Sequence, residues 1–168
     1  MIDATLRLLD TWYNEPSVES ERPKLLSKLA VLELCGWLEG EFDRMALAAG
    51  RTCLGDPVWV ADHVIKRTNG FLYENHWRPM LGLIVGEVFV RRVEAQMDAN
   101  SPGELSRLRD SLQELWKIRC RFAHADLTAH IAAQQVFDAP SWSLSQHLVL
   151  KELLFRYEQE MQAVLASI

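Results

Sequence analysis

Apolar residues recur at helical spacing over most of the chain. Residues 2–13 carry that period for a short first helix, ended by Asn14-Glu15-Pro16. A long helix follows Pro23, a residue suited to a first turn. Its apolar positions are Leu25, Leu29 and Leu32, with Val31, Cys35, Leu38, Phe42 and Met45 beside them, and Gly50 is the expected stop. Asp56-Pro57 reads as an N-cap and a first-turn proline, opening a short helix to about Thr68 that ends near Gly70. The segment from Phe71 to Arg78 is aromatic and irregular. Pro79 is then expected to open a helix to about Met97, in which Gly82 and Gly86 would let another backbone come close. The β-branched residues of that stretch keep a strand as the alternative.

Ser101-Pro102-Gly103-Glu104 is the clearest boundary, with Ser and Glu at capping-box spacing and Pro in the first turn. The helix it opens carries Leu105, Leu108, Leu112, Leu115, Arg119 and Phe122 at alternating spacings of three and four. Residues 128–140 read as a connection, with a short strand expected at Gln134–Phe137. Pro140-Ser141 restarts a helix whose stripe is Leu150, Leu153, Leu154, Tyr157, Met161, Val164, Leu165 and Ile168. No clear hairpin intervenes. The pattern therefore predicts an all-α fold, an up-and-down bundle of four to six helices, in one domain over residues 1–168.

Composition narrows the class. Half of the residues are hydrophobic and six are tryptophan, a globular make-up. The three cysteines, at 35, 53 and 120, lack any CxxC spacing, so neither a disulfide frame nor a zinc site is indicated, and no metal or other cofactor is expected. A reducing cytoplasm is the expected compartment. Met1-Ile2-Asp3-Ala4 does not begin a signal peptide. Leu81 to Val90, interrupted by Glu87, is too short to span a bilayer, so no membrane partner is expected. The net charge of −5 argues against a general nucleic-acid coat protein. Yet Arg91, Arg92, Arg107, Arg109, Lys117, Arg119 and Arg121 crowd the middle third, either as a local surface for RNA or as a solvated helix face.

The candidate chemistry lies in Arg119-Cys120-Arg121-Phe122-Ala123-His124. Arginine is a permanent cation whose fork matches phosphate, and histidine exchanges a proton near neutral pH. Arg119 takes a slot of an apolar stripe, where a guanidinium cannot be dehydrated without an anion or a wet groove. Glu39, at the edge of the Leu25–Leu29–Leu32 face, is a candidate to pair with or orient Arg119; the alternative is a plain interhelical ion pair. On an ideal helix Arg119 and His124 stand about 140° apart and do not share a face. Two such helices crossing at a twofold axis would bring two Arg and two His to one cleft. The matching reaction is attack of an RNA 2′-hydroxyl on the adjacent phosphate. One His124 is the base, the second subunit's His124 the acid, and Arg119 the clamp on the phosphate oxygens. DNA lacks the attacking hydroxyl.

Other candidates are weaker. His63, His76, His130 and His147 lack metal-ligand spacing and read as structural or exposed. Asp62-His63 could form a local hydrogen-bonded pair. The aromatic run from Phe71 to Trp77 could stack on unpaired bases or serve as a packed connection.

Leu115-Trp116-Lys117-Ile118-Arg119-Cys120-Arg121-Phe122-Ala123-His124 resembles the signature of HEPN domains: an Arg, a short gap and a His, often R-N-x-x-A-H. Ala30 to Glu39 is similar to the helix in which these proteins carry an apolar run ending in Glu, and Arg78 to Gly86 to the segment before the signature helix. The likeness spans roughly residues 24–165 and is greatest to the stand-alone bacterial RiboL-PSP-HEPN and MAE-type members. It implies a helical bundle dimerising through the signature helices. It also implies a metal-independent endoribonuclease of a toxin–antitoxin or anti-phage system, with an antitoxin or defence protein as further partner, or else a non-catalytic RNA- or protein-binding module. Arg119 and His124 carry over as the catalytic pair; Lys117 and Arg121, from the basic run of the middle third, are the expected RNA contacts. Cys120 stands where the family usually has a polar residue, and a thiol is a poor hydrogen-bonder. Asp126 stands where toxins controlled by tyrosine adenylylation carry Tyr. It either orients His124 or is a surface acid after the helix end.

Overall fold

A computed structural model describes residues 2–16, 21–123 and 138–167, and every regular element among them is helical. In order these are α1 (Ile2–Asn14), α2 (Arg22–Cys53), α3 (Pro57–His63), a 3-10 turn (Ile65–Arg67), a π-helical turn (Tyr73–Trp77), α4 (Arg78–Val85), α5 (Glu87–Asn100), α6 (Glu104–Ala123) and α7 (Pro140–Leu165). The class is all-α, as the period predicts. There are seven α-helices among the described residues rather than four to six, because the helix expected from Pro79 to Met97 breaks at Gly86. The strand expected at Gln134–Phe137 lies outside the described residues. Among those described, no helix is long and apolar enough to cross a membrane. The chain forms two compact units, Met1–Trp37 with Glu114–Val149, and Leu38–Gln113 with Leu150–Ile168.

In the first unit, α1 buries Leu6 and Leu9 with Leu26 and Ala30 of α2, and Ile2, Tyr13 and Leu144 pack around them. An ion pair of Arg22 with Glu15, at 2.8 Å, ties the start of α2 to the segment after α1. The core face of α2 in this unit is Leu26, Ala30, Val31, Leu34 and Cys35. Leu25, Leu29 and Leu32, expected on the buried stripe, face outward at 47%, 42% and 38% exposure. Leucines or other apolar residues sit side by side at 25–26 and 29–32, so two stripes about 100° apart both satisfy the helical period. The side bearing the small Ala30 wins because it lets α1 come close.

The second unit is built around stacked aromatics. Phe42 of α2 lies on Trp77, ring centroids 4.7 Å apart, and Tyr157 of α7 meets Trp77 edge-on at 6.0 Å. Arg44 of α2 grips Glu158 of α7 through two hydrogen bonds of 2.8 and 2.7 Å. Gly50 does not end α2, which runs one turn further. Its role is clearance, since a Cβ there would lie 2.5 Å from Val60 Cγ2 of α3. Asp56 caps α3 as the sequence predicts, its carboxylate accepting from the Trp59 N–H at 2.9 Å. The expected helix to Thr68 is shorter, its last turn tightening into the 3-10 form.

Gly82 and Gly86 admit no neighbouring backbone: a Cβ on Gly82 would meet only Glu87 Oε2 at 4.0 Å, and one on Gly86 nothing within 4 Å. Gly86 instead takes φ +87°, left-handed backbone that glycine adopts without strain, and this splits α4 from α5. The capping box at Ser101 does not form. Ser101 N–H closes α5 onto Met97 O at 2.8 Å, and Glu104 turns to Arg156 at 2.6 Å.

Opposite outcomes follow for two α2 glycines. Gly50→Ala should destabilise the chain by about 1–3 kcal/mol, because β-branched Val60 has little rotamer freedom to yield. Gly36→Ala, where a Cβ meets nothing within 4 Å, should instead gain up to about 1 kcal/mol of helix propensity. Urea unfolding of both variants checks this, and equal signs would contradict it.

Candidate functional site

Of the predicted site residues, Lys117, Arg119, Cys120 and Arg121 sit in the last two turns of α6, within the first unit. The core-facing stripe of α6 is Leu105, Leu108, Leu112, Leu115, Ile118 and Phe122. Ile118, not Arg119, fills the slot that the sequence assigned to arginine. Between two overlapping stripes, burial selects the aliphatic side chain and spares the guanidinium its desolvation cost. Arg119 is therefore half-buried beside the stripe, its guanidinium carbon 5.2 Å from the centre of the Trp116 ring. That distance is within range for a cation held over an aromatic face, a contact of about 0.5–1 kcal/mol when exposed. Cys120 is half-buried with a free thiol, while Lys117 and Arg121 are exposed. His124 and Asp126 lie outside the described residues, which reach Ala123, one residue short of His124.

Glu39 lies on α2 and is half-buried, in the second unit by sequence position. One turn on, Asp43 is held above the ordinary carboxylate range, first by partial burial and then by the negative charge of Glu39. Glu39 does not sit at the edge of a buried leucine face, because that face is the outward one.

A second polar cluster was not foreseen. Glu94 of α5, only 15% exposed, accepts from the Tyr73 hydroxyl at 3.0 Å and from Arg78 Nε at 2.9 Å. Arg109 Nη2 reaches the same oxygen at 3.1 Å. Arg78 also holds Glu87, at 2.6 and 3.0 Å. Arg109 pairs with Glu74 at 3.0 Å and sits 4.7 Å over the Tyr73 ring. The Tyr73 and Tyr157 hydroxyls are 3.3 Å apart. Both cations are committed to carboxylates, so this cluster fixes the π-helical turn and has no cation to spare for a phosphate. The only sequence signal was an acid flanked by Val93 and Met97, which reads equally well as a helix surface position.

Burial pushes the Tyr157 hydroxyl up to about 12 and raises that of Tyr73 as well. An unfolded tyrosine ionises at about 10. The stability due to keeping both neutral is thus complete below about pH 10 and is lost as pH rises through the folded value. Helicity should fall together with the appearance of tyrosinate absorbance. Ionisation of these tyrosines with full helicity retained would contradict the network.

The remaining candidates resolve simply. His63 Nδ1 lies 3.2 Å from Trp59 O, and Asp62 pairs with Lys66 at 2.5 Å, so the Asp62-His63 pair is not formed. His76 Nδ1 accepts the Leu72 N–H at 3.0 Å. His147 is buried edge-on to Trp37, centroids 4.6 Å apart. His130 lies outside the described residues. Phe71, Tyr73 and Trp77 are buried, so the aromatic run is a packed connection and not a base-stacking surface. Of the basic cluster, Arg91, Arg92, Arg107, Lys117 and Arg121 are exposed, and Arg91 pairs with Glu87 at 3.0 Å.

No known family model, curated protein or solved structure matches the chain.

Proposed function

We propose that the chain is a metal-independent endoribonuclease of the HEPN kind, acting as a homodimer in a bacterial toxin–antitoxin or anti-phage system in the cytoplasm. The observation that carries this reading is the position of Arg119. It is excluded from the core stripe, held half-buried over Trp116 in the last turns of α6, and precedes His124 by five residues in the sequence. The 2′-hydroxyl attacks the phosphorus as one His124 takes its proton. The bond to the 5′-oxygen breaks, and the partner subunit's His124 protonates that oxygen. The products are a 2′,3′-cyclic phosphate and a 5′-hydroxyl. Arg119 holds the non-bridging oxygens while negative charge grows. Lys117 and Arg121, both exposed, extend the contact along the strand. The outward Leu25–Leu29–Leu32 face, continued one turn on by the open Gly36, supports a second copy, because contiguous exposed apolar surface marks an interface.

Purified protein incubated with RNA in excess chelator should yield fragments ending in cyclic phosphate, and His124→Ala should yield none. Intact RNA with both proteins would overturn the enzyme reading. Cys120 favours the second reading, a dimer that holds RNA or a protein without cutting, since a thiol does not supply the usual polar support. RNA retention without turnover selects that one. Glu39→Gln should lower activity far more than stability if Glu39 orients Arg119, and both equally if it does not.

A further inference from the structure

α3 is anchored on one side only. Val60 and Val64 are fully buried, and Val60 fits against Gly50 with no room for a Cβ between them. The Asp56 carboxylate fixes the first turn. The opposite side is unusual for a solvated helix, with Val58 68% and Trp59 39% exposed. The rings of Trp59 and His63 lie nearly parallel, centroids 5.4 Å apart and planes 9° from each other. Each uses one face on the other, and His63 is further fixed by Nδ1 donating to Trp59 O at 3.2 Å. The result is an exposed two-ring stack on a rigid support.

Exposed cations lie near it in the chain. Lys66 follows Trp59 and His63 at helical spacing, Arg67 is next, and Arg51 closes α2; all three are exposed. The acids in this stretch are already engaged, Asp56 with a backbone N–H and Asp62 with Lys66. Among the described residues, Arg51 and Arg67 have no ion pair. An exposed aromatic stack with uncommitted cations at the end of α2 and in the turn after α3, on a chain that is acidic as a whole, matches an unpaired base and the phosphates beside it.

We infer that the outer face of α3 and its following turn bind single-stranded RNA, a base extending the Trp59–His63 stack while Arg51 and Arg67 meet the phosphates. The inference rests on the RNA reading above and adds where the strand is held. A different macromolecule, a protein docking on Leu54, Val58 and Trp59, is the competing occupant.

The test reads binding alone, in intact His124→Ala protein that cannot cut. A labelled, unstructured oligo(A) RNA is titrated and followed by anisotropy. Trp59→Ala should weaken binding about tenfold or more, and Trp59→Phe should restore most of it. Arg67→Glu should weaken it too. The slope of log affinity against log salt should be about −1.4 for two phosphates at roughly 0.7 each. A duplex of the same length should bind less well, its bases being already stacked. Equal binding by parent, Trp59→Ala and Arg67→Glu overturns the inference, as does failure to bind the single strand while Trp59 is required to retain a protein. Trp59-dependent binding with no cleavage by the unmutated chain sinks the nuclease reading and keeps this one. Cleavage with Trp59-independent binding does the reverse.

Discussion

Glu94→Ala is expected to destabilise the chain by about 3 kcal/mol, at the lower end of the cost of breaking a buried ion pair from one side. Glu94 is the common acceptor for Tyr73, Arg78 and Arg109. Without it, two guanidinium groups and a hydroxyl share a half-buried site with no charge between them. Arg78 keeps Glu87 and Arg109 keeps Glu74, but those acids are more exposed and hold their cations less firmly. For a chain of this size the loss corresponds to a fall in melting temperature of about 6–12 °C. Tyr73→Phe removes only one hydrogen bond and should cost about 1 kcal/mol. Thermal and guanidinium unfolding, read by circular dichroism, separate the two. A Glu94→Ala loss no larger than that of Tyr73→Phe would mean that the arginines find other partners and that the network is not what holds the π-helical turn.

That turn shows where sequence reading stops. The sequence located α1, the start of α2, the cap of α3, the leucines of the α6 stripe and the α7 stripe from Leu150 to Val164, because each rests on local spacing or on a capping side chain; Ile168 lies outside the described residues. It did not locate the π-helical turn, whose cause is tertiary: Phe71, Tyr73 and Trp77 are all drawn into one core, and an extra residue per turn brings Glu74 within reach of Arg109. The break at Gly86 was hidden by unbroken apolar sequence on both sides. The two errors of side share one reason. On α2 and on α6 the apolar residues form adjacent stripes, and spacing does not say which one meets the core. Packing against a small residue decided α2, and the desolvation cost of a guanidinium decided between Ile118 and Arg119. For the site, the residue types and their chain positions were legible. The exposure of Arg119, the Trp116 ring beneath it and the stacked pair on α3 were not, since each depends on which face a helix turns outward.

The exposure of Arg119 makes its removal informative. Arg119→Ala removes a side chain that lies beside the core stripe and not in it, so the protein should stay folded. Its activity should fall about 10²–10³-fold, the usual loss when one preorganised partner of a developing phosphate charge is deleted. His124→Ala should cost about 10⁴-fold or more and leave no detectable fragments, because both proton transfers, each worth about 10²–10⁴-fold, depend on that side chain. The mixed dimer decides whether the site is shared. One unmutated subunit paired with one His124→Ala subunit retains either the base or the acid but not both, so its activity should drop to near that of the doubly substituted dimer. If each subunit cuts alone, the mixed dimer keeps half. Differently tagged subunits, co-expressed and purified through both tags, provide the species to measure. Half activity would remove the second copy from the chemistry and leave the outward leucines of α2 without a catalytic consequence. Near-complete loss would require the pH–rate profile to be bell-shaped, since one imidazole must be neutral and the other charged in the same cleft.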